Sequence, residues 1–165
     1  MTRLVEDLRS VSLAGSGQLE LLLIEVDLSS EVVDMAPTLT LMLEPVGFSL
    51  KLDLHPCTAR ADIGRIRQAI LALVDNASRH ADPCVLTIST SGVNGEASIT
   101  VADAGLGLPH DLVRDAFSQF VRGTQSQGGS GLGLAVVRGI ARAHGGDVHY
   151  EADSGVFAFV MKWPT

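Results

Sequence analysis

The feature that most constrains the fold of this chain is a long amphipathic helix pattern followed directly by two strand patterns. Residues 62–80 carry apolar side chains at helical spacing, and the resulting stripe must be buried against another element. The members of that stripe are Ile66, Ile70, Leu73 and Ala77. Residues 85–90 and 97–102 then read as strands joined through Gly92-Val93-Asn94-Gly95, which predicts a hairpin. Together they indicate a helix packed on a sheet.

The rest of the chain continues this alternation of helices and strands. We predict helices over residues 2–13, 28–43, 112–117 and 132–144, and strands over 19–26, 48–54, 148–152 and 156–163. Asp27 should cap the second helix, Pro37 should kink it or shorten its first half, and Gly145-Gly146 should close the last helix. The predicted fold class is α+β, a two-layer α/β sandwich in which a mixed sheet carries its helices on one face.

Length and turn signals predict one main domain. The chain has 165 residues, and a turn cluster at Gly15-Ser16-Gly17 sets a short segment, residues 1–17, apart from a domain spanning residues 18–165. Cys57 and Cys84 lack the spacing of a zinc site or a disulfide framework, so we expect reduced thiols.

Charge and hydropathy argue against binding to nucleic acid and against insertion into a membrane. The net charge is −7 and no block of Lys or Arg occurs, which disfavours binding to nucleic acid through a broad basic surface. No apolar run approaches the ~20 residues that a membrane span requires, and the charged N-terminus lacks a secretory h-region. We therefore expect a cytoplasmic protein with no direct membrane insertion.

Three polar clusters interrupt the scaffold where a ligand could lie. The first is on the helix over 62–80, where Asn76 and Arg79 are three residues apart on one flank of the apolar stripe, with His80 nearer its edge. An amide oxygen can ligate Mg²⁺, and an arginine can bind phosphate. An ordinary polar helix flank would show the same residues, so this cluster alone is a weak signal.

The second cluster follows the strand over 97–102. Asp103 can accept a hydrogen bond from an exocyclic adenine amine, while Gly105 and Gly107 allow the backbone to turn tightly beside a ligand. Many left-handed turns share this pattern, so it too is weak by itself.

The third cluster opens the helix over 132–144. Free backbone N–H groups and the helix dipole make such a junction a candidate anion site. Its residues are Gly129, Gly131, Leu132, Gly133 and Leu134. Between the second and third clusters, Phe117 and Phe120 can anchor a polar stretch whose Arg122 would close over a ligand as part of a lid.

The order of these clusters closely resembles the histidine-kinase branch of the gyrase, Hsp90, histidine-kinase and mismatch-repair ATPase superfamily, from residue 62 to residue 164. The resemblance implies the Bergerat-type ATP-binding fold, with ATP and Mg²⁺ as cofactors. It implies that Asn76 is the Mg²⁺ ligand of the N box, that Arg79 reaches the phosphates, and that His80 occupies the adjacent position of the motif.

The same resemblance assigns the glycine-rich segments. It implies that Asp103 reads adenine in the G1 box with Gly105 and Gly107, and that Arg122 is the lid arginine near the γ-phosphate. Phe117 and Phe120 correspond to the F box. The G2 box would comprise Gly129, Gly131, Leu132, Gly133 and Leu134.

Ala72 departs from the family pattern. Kinases of this family often have a second Asn there, and the gyrase, Hsp90, mismatch-repair and anti-sigma serine kinase branches usually have a Glu acting as general base. Ala72 cannot activate a water or a serine hydroxyl, which argues against a stand-alone ATPase and a serine kinase. A histidine kinase tolerates Ala72 better, because its acceptor imidazole is already nucleophilic at neutral pH. A second departure, Asp153-Ser154-Gly155-Val156, predicts a shortened final hairpin.

No histidine of the chain matches the acceptor motif of the family, in which an acidic residue follows the histidine and a proline closes the motif. His110-Asp111 lacks the proline, and His144 and His149 are expected to be structural. Residues 1–17 resemble the end of the second dimerisation helix and its linker. The chain is then either a piece of a longer kinase or the ATP-binding half of a split kinase, which Met1 favours.

The implied activity is transfer of the ATP γ-phosphoryl group to a histidine on an H-box protein or domain, for relay to a response regulator. Two alternatives stay open: a degenerate ATP-binding module that docks a partner without phosphotransfer, and an anti-sigma-type serine kinase.

Overall fold

The computed structural model describes residues 19–105, 107, 113, 115–118, 131–153 and 156–165, and five separate residues near the N-terminus. Those five residues, Val5, Leu8, Arg9, Ser12 and Leu13, are helical, as predicted for 2–13. The predicted division at residue 17 lies outside the described residues. Among the described residues, no helix is long and apolar enough to cross a bilayer.

The described elements alternate along the chain, as the sequence predicts. The helices are α1 (Leu28–Leu43), α2 (Ile63–His80) and α3 (Gly133–Ala143), with a 3-10 turn at Glu44–Val46. The strands are β1 (Ile24–Asp27), β2 (Ser49–Leu54), β3 (Thr58–Ala61), β4 (Val85–Val93), β5 (Glu96–Asp103), β6 (Asp147–Asp153) and β7 (Val156–Pro164).

Five strands form a mixed sheet in the order β2-β4-β5-β7-β6. β2 pairs parallel with β4, and the remaining neighbours are antiparallel. β1 and β3 form a separate antiparallel pair. The three helices pack on the sheet, and α2 contacts both α1 and α3. The predicted α+β two-layer sandwich is confirmed.

The β4–β5 hairpin shows how alternation and turn chemistry fix the register. Asn94 and Gly95 both have positive φ, 55° and 75°, as a two-residue type I′ hairpin turn requires. Leu86 and Ile88 on β4 and Ile99 on β5 are fully buried toward the helices. The intervening Ser and Thr residues are half-buried on the other face, so one face of the hairpin faces the core.

Helix α1 begins at the predicted cap. Asp27 Oδ1 accepts a hydrogen bond from the Ser29 backbone N–H at 3.0 Å, and its Oδ2 accepts one from the Ser30 hydroxyl at 2.8 Å. The expectation that Pro37 shortens the helix is wrong, because α1 is continuous from Leu28 to Leu43. Pro37 and Val33 are exposed, so water can bind the Val33 carbonyl that the proline cannot satisfy.

Asp62 connects three parts of the fold at the start of α2. Its Oδ1 accepts from the Arg65 backbone N–H at 3.1 Å, and its Oδ2 accepts from the Leu22 N–H at 2.9 Å. Its own N–H donates to His144 Nε2 at 3.1 Å. Since His144 Nδ1 lies 2.8 Å from the Ile140 carbonyl, this ring carries its proton on Nδ1. Burial lowers the pKa of His144, which favours the neutral ring. The two hydrogen bonds of the ring join α3 to the start of α2, which is the structural role predicted for it.

Helix α3 is closed by the predicted glycine pair. Gly145 has φ 86°, and the Gly146 N–H donates to the Ala141 carbonyl at 2.9 Å. Gly146 also lies against the backbone of Lys162 and Trp163 in β7, where no Cβ could fit. The pair therefore ends the helix and docks its end on the sheet.

Two local predictions were wrong. The predicted strand over 19–26 is confined to Ile24–Asp27, because residues 19–23, four leucines and Glu20, have no strand partner. β3 was not predicted, because its four residues, Thr58–Ala61, alternate between exposed and buried positions over too short a stretch to be recognised. The helix predicted over 112–117 falls mostly outside the described residues.

Candidate functional site

The C-terminal half of α2 presents the first polar cluster. Asn76 is half-buried beside the core stripe formed by Leu73 and Ala77, and Arg79 is exposed one turn further on. The Arg79 guanidinium is held by Asp75, since Nε donates to Oδ2 at 3.1 Å. Helical geometry therefore places an amide oxygen and an oriented guanidinium on one flank, as predicted.

His80 ends α2 next to this flank. The protein around it lowers the pKa of His80 by desolvation, and the neighbouring Arg79 charge lowers it further, while Asp75 acts in the opposite direction. The ring is therefore neutral at pH 7 and can donate or accept a hydrogen bond there.

Asp103 stands at the end of β5 with its carboxylate half-buried. Burial raises the pKa of Asp103, and the Gly105 N–H, which donates to Oδ1 at 2.8 Å, acts against this. A further donor from a ligand, such as an amine, would stabilise the charged form of a carboxylate in this position.

Gly105 brings the second cluster against the end of α2. A Cβ on Gly105 would lie 2.8 Å from the Ala81 Cβ and 2.8 Å from Asp103 Oδ1, so only glycine fits. Gly107 has φ 71°, a left-handed conformation that glycine adopts without strain. The loop after β5 is thereby packed on the residue that follows His80.

The third cluster opens α3 next to α2. Gly131 has φ 69°, and Leu132, the N-cap residue, is buried and makes no side-chain capping bond. A Cβ placed on Gly133 would meet nothing within 4 Å, so the space beside the first turn is open. Leu134 is half-buried against the core. A helix start with these features suits an anion.

Part of the predicted site lies outside the described residues. Phe120, Arg122 and Gly129 fall there, so their predicted roles stay predictions. Phe117 is described, and it packs against the core with the Arg138 guanidinium 6.0 Å from its ring centroid.

The structure also shows residues that sequence reasoning missed. Asp75, four residues before Arg79, could have been found from the i,i+4 charge pairing on a helix. Ala81 and Arg138 carried no such signal, because their contacts with Gly105 and Phe117 join segments far apart in the chain.

The described residues of the site offer Mg²⁺ a single protein ligand. Among the described residues, no group of three or more His, Cys, Asp and Glu could hold a metal ion. Mg²⁺ commonly takes only one or two protein oxygen ligands and completes its octahedron with water and substrate phosphates. The Asn76 amide oxygen could serve as such a single ligand.

A family model and a curated relative both match this chain. Residues 61–165 match the family model described as histidine kinase-, DNA gyrase B-, and HSP90-like ATPase. The chain is 31% identical over 169 residues to the probable sensor histidine kinase TcrY of Mycobacterium tuberculosis, covering 99% of this chain and 35% of TcrY.

Solved structures show the same likeness over nearly the whole chain. The Acinetobacter baumannii histidine kinase AdeS superposes with a TM-score of 0.84 at 31% identity, covering 99% of this chain and 77% of that one. Full-length ShkA in complex with AMPPNP gives a TM-score of 0.86 at 28% identity, covering 98% and 35%.

The chain therefore belongs to the family of histidine kinase-, DNA gyrase B- and HSP90-like ATPases. Within that family it is a catalytic domain of the sensor histidine kinase type. The chain spans about a third of the length of TcrY.

Proposed function

We propose that this domain binds ATP with Mg²⁺ and transfers the γ-phosphoryl group to a histidine of an H-box protein or domain in the cytoplasm. The phosphoryl group would then pass to an aspartate of a response regulator. The observation that carries the proposal is the convergence of three polar clusters around one end of α2: Asn76 and Arg79 on the helix, the Asp103 loop packed on Ala81, and the start of the neighbouring α3. The start of α3 lies at this end because the opposite end of α3, at His144, bonds to Asp62 at the start of α2.

Each cluster has a distinct part in binding. The Asn76 amide would hold Mg²⁺ on the triphosphate, and Arg79 would neutralise phosphate charge. Asp103 would accept a hydrogen bond from the adenine amine, and the first N–H groups of α3 would receive phosphate oxygens. The AMPPNP bound to ShkA, a structure of the same fold, supports a nucleotide in this domain.

Catalysis would come from positioning and charge neutralisation. An imidazole nitrogen of the acceptor forms a bond to the γ-phosphorus as the bond from that phosphorus to the β,γ-bridging oxygen breaks, and ADP leaves with the electron pair. We propose that Arg122 approaches the γ-phosphate and neutralises charge developing there, while Arg79 orients the triphosphate. Phe120 and the glycines from Gly129 to Gly133 would frame that lid.

Binding is tested by titrating Mg·ATP or a non-hydrolysable analogue into the chain by calorimetry. We expect saturable binding that Asn76→Ala weakens in the presence of Mg²⁺ and much less in EDTA. Arg142→Ala is the matched control, because Arg142 pairs with Asp147 at the far end of α3. Absence of heat at millimolar nucleotide would overturn the proposal.

Phosphotransfer is tested separately with labelled Mg·ATP and candidate H-box proteins. Label on the partner that is lost in acid identifies phosphohistidine and supports the kinase. Acid-stable label would identify phosphoserine and favour the anti-sigma-type reaction. Onward transfer of acid-labile label to a response regulator would establish the relay.

Ala72 favours a second candidate, a degenerate module that binds nucleotide and docks a partner without phosphotransfer. Ala72 is half-buried on the flank of α2 that carries Asn76, where related kinases often have a second amide. If the chain lacks only an amide that positions the phosphates, Ala72→Asn should raise phosphotransfer several-fold. A pure docking module would bind nucleotide and partner but leave the partner unlabelled, whether residue 72 is Ala or Asn.

A further inference from the structure

Helix α1 has apolar residues on two opposite faces. Its inner face is buried against β2 and α2 and consists of Leu28, Val32, Met35, Leu39 and Leu43. Its outer face carries Val33, Pro37 and Leu41 at intervals of four residues, and Val33 and Leu41 are 52% and 73% exposed. A helix that needed only to cover the sheet would have a polar outer face.

Acidic residues flank this outer face. Residues 10–50 contain six Asp and Glu and no Lys or Arg. Asp34 lies beside Val33, and Glu44 follows the last turn of α1, where no basic residue is present. A carboxylate at a helix C-terminus opposes the helix dipole, so Glu44 is unfavourable in isolation. Within the described part of the chain, neither Asp34 nor Glu44 forms an ion pair.

The charge distribution decides between two occupants. A second copy of the chain on this face would bring Asp34 and Glu44 near the same acidic residues, and like charges brought together at an interface are costly. A helix with Lys or Arg on its flanks would instead neutralise both carboxylates. The row formed by Val33, Pro37 and Leu41 is an i±4 ridge, which packs into the grooves of another helix.

We propose that the outer face of α1, formed by Val33, Pro37 and Leu41 between Asp34 and Glu44, is a docking surface for a basic amphipathic helix of another protein. The apolar residues of the partner helix would cover the ridge of Val33, Pro37 and Leu41, and its flanking Lys or Arg side chains would reach the carboxylates of Asp34 and Glu44.

This surface is separate from the nucleotide site. α1 packs on the flank of α2 where Arg67 forms a 2.7 Å ion pair with Glu31, whereas Asn76 and Arg79 occupy the opposite flank beside α3. Changes on the outer face of α1 should therefore leave nucleotide binding intact.

The test uses a synthetic, fluorescently labelled helix of about 18 residues, long enough to hold helical structure, with Leu along one face and Lys on both flanks. We expect saturable binding by fluorescence anisotropy that weakens at least tenfold in Val33→Ser/Leu41→Ser. Asp34→Lys/Glu44→Lys should weaken binding and flatten its salt dependence. All variants change exposed residues, and unaltered melting and ATP-analogue binding verify that they remain folded.

The matched control is Asp53→Lys/Glu151→Lys, which makes the same change in net charge on the sheet face away from the helices. It should alter peptide affinity by less than twofold. Equal loss in this control would show attraction to the whole acidic protein and would overturn the proposal. It would also be overturned by an absence of binding, by equal binding of a peptide with Glu in place of Lys, or by self-association that Val33→Ser/Leu41→Ser abolishes.

Discussion

Helix α3 begins at Gly133 and is closed after Ala143 by Gly145-Gly146, and the surroundings of the glycines at its two ends differ. A Cβ on Gly133 would enter open space, whereas one on Gly146 would overlap the Lys162 carbonyl group of β7. The start of α3, at Gly133, is open, and we propose that phosphate binds there. The other end, at Gly146, is packed against β7 and joins the helix layer to the sheet. Glycine at one end leaves room for a ligand, and at the other it leaves room for the protein itself.

The largest effect should come from Gly146→Ala. The obstruction is a backbone carbonyl held in the β6–β7 pairing, which cannot move cheaply, so we expect a loss of about 3 kcal/mol or more in the free energy of unfolding. Urea denaturation measures this. A loss below ~1 kcal/mol would show that the packed end of α3 tolerates a side chain.

His144→Leu tests the packed end of α3 through its hydrogen bonds, because leucine has no side-chain acceptor. It removes the acceptor of the Asp62 N–H and the contact with Trp163, whose ring centroid is 5.8 Å away. We expect a loss of about 1–3 kcal/mol in the free energy of unfolding, as for a buried donor left unpaired. An unchanged denaturation midpoint would show that the hydrogen bond between Asp62 and His144 does not stabilise the protein.

The same variant makes a prediction about pH. The folded protein lowers the pKa of His144 below its usual value of 6.5, so the unfolded chain binds more protons as the pH falls through that value. Stability should therefore fall as pH is lowered from 7.5 toward 5, and less so in His144→Leu. His80 is present in both proteins, so its contribution cancels in the difference. Parallel pH curves would exclude a role for His144 in this window.

At the open end of α3, Gly133→Ala should separate binding from stability. Because the added methyl group meets no protein atom, the free energy of unfolding should be unchanged or rise by ~0.5–1 kcal/mol. Affinity for an ATP analogue should fall roughly tenfold if phosphate approaches this turn. Calorimetry and urea denaturation on one preparation distinguish the two. Unchanged affinity would place the phosphates elsewhere.

The smallest effect should come from Asp75→Asn, across from the open end of α3. The Asp75–Arg79 pair is partly exposed, with side chains 27% and 42% accessible, so its loss should cost only about 0.3–0.5 kcal/mol of folding stability. Arg79 would be less well oriented, and the affinity for the ATP analogue should change by no more than a few-fold. A tenfold loss would show that Asp75 is essential for placing Arg79.

Local chemistry was predictable from sequence. Asp27 and Asp62 cap helices α1 and α2, Asn94-Gly95 forms the β4–β5 turn, and Gly145-Gly146 closes α3, because each of these depends on residues within a few positions of one another. The order of Asn76, Asp103 and the glycines before Leu134 was sufficient to recognise the family that the comparisons show.

Long-range contacts were not predictable in the same way. The contact of Gly105 with Ala81, the bond of His144 to the Asp62 N–H and the approach of Arg138 to Phe117 each join segments whose spacing in the chain carries no period. The pairing of β1 with β3 was missed for the same reason. Pro37 does not interrupt α1 because it lies on the exposed face of the helix, and this exposure is decided by tertiary packing.

By itself, the sequence determined the types of the main elements, their caps and the order of the candidate site residues, since helical and strand periodicity and backbone sterics act over short distances. The tertiary structure alone decided which face of each helix met the sheet, which glycine was packed and which was open, and that α1 retains an apolar outer face. Those outcomes depend on the burial of surfaces contributed by distant segments, which becomes defined only when the whole chain is packed.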